Sequence, residues 1–289
     1  MPDFHGHPTE TLENSHLRLE YLTQAGPRIV RLSPANSQEN LLGEFLDLGW
    51  DTPQGYFQLV GGHRLWAAPE VPGFSHLPDS EGLVVQQNGT GVKLSWEPEA
   101  GKGLAKIVEV SLSNERPAVH LTHRIVNDFE HPVRVAPWGI TAFPLGGAAY
   151  LPSPSTEGGL QPDRKLVLWP YTRWDDPRLG FNAAGVVVSG KSGMPPIKVG
   201  TFVPGGCCAY LRNGFLFVKR VELKPGEYPD QGCNAEIYCS DRLIELETIA
   251  PLTDLLPGES VSSTETWEIF AGEQAAQKLA EIFSNGGPA

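Results

Sequence analysis

Leu83-Val84-Val85-Gln86-Gln87-Asn88-Gly89-Thr90-Gly91-Val92-Lys93-Leu94-Ser95-Trp96 is the stretch that decides the fold class. Two runs of β-formers flank an Asn-Gly-Thr-Gly turn, and Val92, Leu94 and Trp96 alternate with polar residues. That combination specifies a β-hairpin, because glycine and asparagine supply the turn's backbone angles and alternation puts one face inward. The same grammar recurs on both sides. Leu17, Leu19 and Tyr21 alternate with Arg18 and Glu20, and Gly26-Pro27 turns the chain into Ile29-Val30-Arg31-Leu32. Val108, Val110 and Leu112 lead through Asn114-Glu115-Arg116-Pro117 into a run from Val119 to Val126. Further strand patterns span 185–189, 197–202, 209–212, 215–221, 235–239, 243–248 and 263–270. Helical periodicity shows over Glu273 to Phe283, where Ala275, Leu279 and Phe283 form a stripe and Asn285-Gly286 a stop. The pattern predicts an all-β chain, a large antiparallel β-sandwich with one C-terminal helix at 272–284. A single domain over 1–289 is expected, with a flexible N-terminus at 1–14.

Composition narrows the function. The 289 residues carry a net charge of −12, which disfavours tracking a phosphate backbone, so nucleic acid is not the expected partner. The first 17 residues lack a signal-peptide core and no apolar run reaches bilayer length, so neither export nor membrane insertion is expected and a cytoplasmic location is. Cys207, Cys208, Cys233 and Cys239 form no C-x-x-C pair and read as reduced, buried thiols. No zinc, calcium or phosphate-loop signature occurs; neither metal nor cofactor is expected.

Two segments carry the chemistry. Gly61-Gly62-His63-Arg64-Leu65-Trp66-Ala67-Ala68-Pro69-Glu70 gathers an imidazole, a guanidinium, an indole and a carboxylate. Such a mix suits a polar pocket better than a packed core, where every polar tip needs a partner. The second is Asn234-Ala235-Glu236-Ile237-Tyr238, joined by Cys239-Ser240-Asp241-Arg242 to Leu243-Ile244-Glu245-Leu246-Glu247-Thr248. Strand alternation puts Asn234, Glu236 and Tyr238 on one face, and Glu245 and Glu247 on one face. If the two strands pair, three carboxylates and an amide meet. The bland alternative is a solvated sheet surface. Asp230 offers a further loop carboxylate. Lys219, in register with Phe215 and Phe217, reads as a lysine snorkelling at a sheet edge. His120 and His123 lie on opposite faces of one strand.

These segments, in this order, resemble the galactose-mutarotase-like superfamily, which includes aldose 1-epimerases. Gly26-Pro27-Arg28-Ile29-Val30-Arg31-Leu32 is similar to the family's opening strand, and Asn40-Leu41-Leu42 to the segment that follows. Gly62-His63-Arg64-Leu65 is similar to a segment whose arginine contacts substrate. Leu246-Glu247-Thr248 with Pro251 is similar to a strand whose glutamate is the general base at the anomeric hydroxyl. Leu256-Pro257-Gly258-Glu259 and Glu265-Thr266-Trp267-Glu268-Ile269 resemble the closing turn and final strand. The resemblance implies a mutarotase-like supersandwich and a sugar or oligosaccharide ligand. It implies Glu247 as base, with Glu245 on the same face as rival, and Arg64 as ligand-binding residue. The resemblance puts the counterpart of the family's Asn-His-x-Tyr/Phe segment, source of the general acid, at Asn127 through Arg134-Val135-Ala136-Pro137-Trp138-Gly139-Ile140-Thr141, where that motif does not occur. His63 is the candidate for that role, and Trp66 and Trp138 are candidate stacking surfaces, with Asp230, Asn234 and Glu236 as further sugar contacts. Two other readings stand beside epimerisation: a non-catalytic carbohydrate-binding protein, and a glycosidase or lyase with Glu236 and Glu247 as its carboxylate pair.

Overall fold

The structure is a computed structural model that describes residues 3–153 and 160–284. Two large antiparallel sheets face each other. The first runs, in spatial order, through Asp3–Phe4, His7–Glu13, Leu17–Leu22, Arg28–Pro34, His63–Ala68, Val133–Pro144, Leu243–Ile249, Ala235–Cys239, Ile197–Thr201 and Val167–Leu168. The second runs through Leu179–Asn182, Gly185–Ser189, Ala148–Pro152, Cys207–Arg212, Phe215–Val221, Ser260–Ala271, Ala118–Asn127, Leu104–Leu112, Gly91–Trp96 and Val84–Asn88. Inward-facing aliphatic residues of both sheets, among them Leu65, Leu246, Val199, Val110, Leu121 and Trp267, form one continuous core. This is the sandwich that the alternating patterns predict. The hairpin at Asn88-Gly89-Thr90-Gly91 closes with Asn88 opposite Gly91.

The first sheet also has a second apolar layer on its outer face. A small hairpin, Glu44–Thr52 with Gly55–Gly61, folds over it. Phe45, Phe57 and Leu59 pack there on Trp66, Trp138, Ile140 and Ile249. Gly62 makes the turn from this hairpin back into the sheet. It has φ +63°, and a Cβ there would stand 2.0 Å from the Ile29 carbonyl oxygen, so no side chain fits. The chain therefore passes from cover to sheet through the Gly-Gly pair and leaves a hollow beside it.

The helix Gly272–Ser284 covers the second sheet, with Ala275 and Ile282 buried against Cys207, Leu216 and Val218. The Asn285-Gly286 stop lies outside the described residues. The N-terminal segment differs from expectation. His7–Glu13 forms a strand paired with Leu17–Leu22, and His5 Nε2 sits 2.6 Å from Glu44. The sequence HPTETLE carries Leu12 as its one large apolar residue, packed against the main core. All four cysteines are free and buried. Among the described residues, no helix is long and apolar enough to cross a membrane.

Candidate active site

Register places the site. Across the first sheet, Arg64 lies opposite Ile140, Ile140 opposite Glu247, Glu247 opposite Glu236, and Glu236 opposite Gly200. Because opposed residues share a face, these five positions form one row on the outer side. A parallel row runs from Ala142 through Glu245 and Tyr238 to Lys198. Trp66 and Trp138 are directly opposed one rung away. The two segments singled out in the sequence thus meet, at a cavity of about 390 Å³, within the usual range for small-molecule sites.

Glu247 stands at its floor, 2% exposed. Trp138 Nε1 donates to Glu247 Oε2 over 2.8 Å, and Lys198 Nζ donates to the same oxygen over 2.8 Å. Two charge-assisted hydrogen bonds fix the carboxylate's position. Arg64 Nη1 donates to Glu245 Oε1 over 2.8 Å, and its guanidinium lies 4.3 Å above the Trp66 ring. Trp66 and Trp138 meet edge to face at 5.6 Å and are each only 3% exposed. They build the wall rather than a free stacking platform. Glu70, just after the strand, accepts from His76 Nε2 at 2.8 Å, which holds its pKa below the usual carboxylate range. Tyr171 and Tyr238 also line the cavity. Burial pushes both phenols up, Tyr238 to about 12, so both hydroxyls stay protonated at neutral pH.

Lys198 is the residue that sequence reading missed. Its ammonium is 2.8 Å from Glu247 Oε2 and 2.8 Å from Glu236 Oε2, and lies between the Trp138 ring at 4.5 Å and the Trp169 ring at 4.6 Å. Burial works against its charge, but Glu247 and Glu236 outweigh burial and raise its pKa. A lone lysine in a strand pattern reads as solvent-facing; only the register with Glu247 reveals its place.

Four expected site residues, His63, Asn234, Asp230 and Glu236, do not line the cavity. His63 neighbours Arg64 in one strand and so points to the opposite side, into the core. There His63 Nε2 is 2.8 Å from His123 Nε2, and His63 Nδ1 is 2.9 Å from Thr141 Oγ1. Lys219, fully buried rather than snorkelling, donates to the Gly139 carbonyl over 2.7 Å and to Thr141 Oγ1 over 3.2 Å. It also lies 3.5 Å from Glu265, which accepts from Trp267 Nε1 and Thr248 Oγ1. Among the described residues, His63, His123 and Glu265 form the one convergence of metal-capable side chains. Hydrogen bonding already occupies the His63 and His123 Nε2 atoms, and an ammonium sits against the carboxylate. Burial, then Lys219, drives the His63 pKa well below its ordinary value. Asn234 is sealed in, where its side chain bonds the Val203 backbone in both directions at 2.7 and 2.8 Å. Asp230 lines a separate groove with Phe202 and Tyr228. Glu236 lies on the expected face but behind the cavity wall, 0% exposed, next to Lys198. Burial raises its pKa well above the carboxylate range.

Comparison with solved structures bears on this arrangement. The chain matches a galactose mutarotase-like protein from Lactobacillus casei ATCC 334 (TM-score 0.55, 12% identity, 91% of this chain and 100% of that one). It matches a protein of Escherichia coli K12 provisionally described as an aldose 1-epimerase (TM-score 0.56, 15% identity, 92% and 100%). A galactose mutarotase related enzyme from Lactobacillus acidophilus gives TM-score 0.53 at 11% identity, with 92% and 99% covered. The chain has the galactose mutarotase-like fold. No protein-family model matches it, and no curated protein does. In this mutarotase-like frame the cavity opens on the outer face of the first sheet.

Proposed function

We propose that the protein binds a small sugar in the Arg64–Glu247 cavity and interconverts its anomers, with Glu247 as general base. The observation that carries this is the setting of Glu247: a nearly buried carboxylate at the floor of a tryptophan-walled cavity, oriented by Trp138 Nε1 and Lys198 at 2.8 Å each. A base must be held in one geometry against the hydroxyl it deprotonates. Arg64 and Glu245, locked to each other, present a donor and an acceptor for the other sugar hydroxyls, and the two indoles wall the cavity off from water. The four buried, unpaired thiols suit a reducing compartment such as the cytoplasm.

A panel of aldoses followed by polarimetry and exchange NMR tests the reading. At least one aldose should anomerise faster with the protein, and Glu247→Gln should slow it by at least about 100-fold while sugar binding persists. An unchanged rate in that variant removes Glu247 as the base. The second reading, binding without turnover, is favoured by the position of His63, which cannot reach the cavity. Sugar binding by the wild-type protein with no acceleration for any aldose would establish it. The glycosidase reading loses its carboxylate pair, because Glu236 is sealed behind the wall.

A further inference from the structure

We propose that Lys198 is the proton donor of this site, delivering a proton to the sugar ring oxygen as Glu247 takes one from the anomeric hydroxyl; this rests on the anomerisation reading. The other cavity-lining groups are poorly placed or poorly suited. Arg64 cannot give up a proton. Glu70 is held ionised by His76. The Tyr171 and Tyr238 phenols line the cavity, but among the described residues neither hydrogen-bonds Glu247. His63 is behind the sheet, hydrogen-bonded to His123. Lys198 alone reaches the cavity as a cation in direct contact with the base.

The spacing suits the chemistry. O1 and O5 of a pyranose are bonded to the same carbon, so a donor and an acceptor one hydrogen bond apart can serve both. The O1–H proton passes to Glu247, and the electrons of that bond become the second bond of the C1=O1 aldehyde. The C1–O5 bond breaks, its electron pair goes to O5, and Lys198 supplies the O5 proton. After the aldehyde rotates, the amine of Lys198 retakes the O5 proton and Glu247 returns its own to O1.

The cluster also explains how so firmly held an ammonium can act as an acid. Lys198 faces two carboxyls, Glu247 and Glu236, with the Trp138 and Trp169 rings above and below and with Tyr171 and Glu70 acting on it through space. Glu236 is fully buried and no well-aligned donor meets either of its oxygens, whereas Glu247 has Trp138 as a second donor. Two carboxylates and one ammonium would leave a net buried negative charge, so the shared proton resides on Glu236. Glu247 is then the counter-charge that holds Lys198 protonated. When Glu247 takes the proton from O1, that hold is lost and Lys198 becomes acidic at the moment O5 needs a proton.

Lys198→Arg is the discriminating variant, because arginine keeps the charge and the hydrogen bonds but does not release a proton. It should fold and bind sugar like wild type, yet anomerise it at least about 100-fold more slowly. A Lys198→Arg protein within a few-fold of the wild-type rate overturns the proposal and leaves Glu247 as base untouched. A proton inventory in H2O–D2O mixtures on the unmodified protein gives an answer independent of any variant's folding. A curved inventory, reporting two protons in flight, supports the paired transfer; a linear one overturns it. A wild-type protein that anomerises no aldose overturns both this assignment and the reading beneath it.

Discussion

At the scale of single residues, Trp138 does two jobs: its ring packs in the wall and its Nε1 holds Glu247. Trp138→Phe keeps the packing and removes one hydrogen bond to a buried charge, a loss worth about 1.5–3 kcal/mol. Trp138→Phe should therefore slow anomerisation by at least about 10-fold with the sugar still bound, and an unchanged rate shows that Nε1 does not position the base. Much at this scale was legible in the sequence. Period-two alternation correctly puts Glu245 and Glu247 on one face, opposite Ile244 and Leu246. The same rule applied to His63 and Arg64 already says that both cannot line one cavity. Lys198 and Lys219 were not legible. A buried lysine depends on partners from distant strands, and those partners follow from register, which one strand's pattern does not contain.

At the scale of elements, the turn at Gly61-Gly62 fixes how the covering hairpin enters the first sheet. Gly62→Ala must adopt φ +63° and press a methyl against the Ile29 carbonyl. It should destabilise the fold by more than about 1 kcal/mol, measured by urea unfolding. A midpoint equal to wild type would show that the turn relaxes freely. Gly200 plays a spatial role instead. A Cβ there would lie 2.8 Å from Cys233 Sγ and 3.1 Å from Glu236 Cγ, so its absence leaves the space in which Trp169, Glu236 and Lys198 assemble. Gly200→Val should displace Trp169 and quench or shift tryptophan fluorescence, and should weaken sugar binding; an unchanged spectrum and affinity count against that role. The hairpins and the C-terminal helix were readable because turn residues and periodicity are local. The polar strand His7–Glu13 was not, because its pairing with Leu17–Leu22 rather than its own apolar content makes it a strand.

At the scale of the whole molecule, the sandwich encloses charged and titratable groups far from solvent. His63 and His123 both have pKa values depressed below 6.5, chiefly by burial. As pH falls past 6.5 the unfolded chain takes up two imidazole protons that the native one refuses, against the one carboxyl proton that buried Glu236 keeps in the native chain, so stability drops through that window. Asp79 and Glu265 are depressed carboxyls, held by Arg28 and Lys106 and by Lys219 and His123, and their contribution is lost only at lower pH. Thermal unfolding should thus show a first decline in Tm starting near pH 6.5 and a steeper one below about pH 4.5. A flat Tm between pH 7 and 5 would mean that the histidine pair stays accessible to protons in the native state.

The row Arg64–Ile140–Glu247–Glu236–Gly200 draws one residue from each of five adjacent strands, brought in from widely separated stretches of the chain. A ligand resting on its cavity-lining part, Arg64, Ile140 and Glu247, would act as a crossbar between three strands. Its binding energy would be spread over hydrogen-bond ladders that no single strand owns, so saturation with sugar should slow amide exchange across the middle of the sheet rather than at one loop.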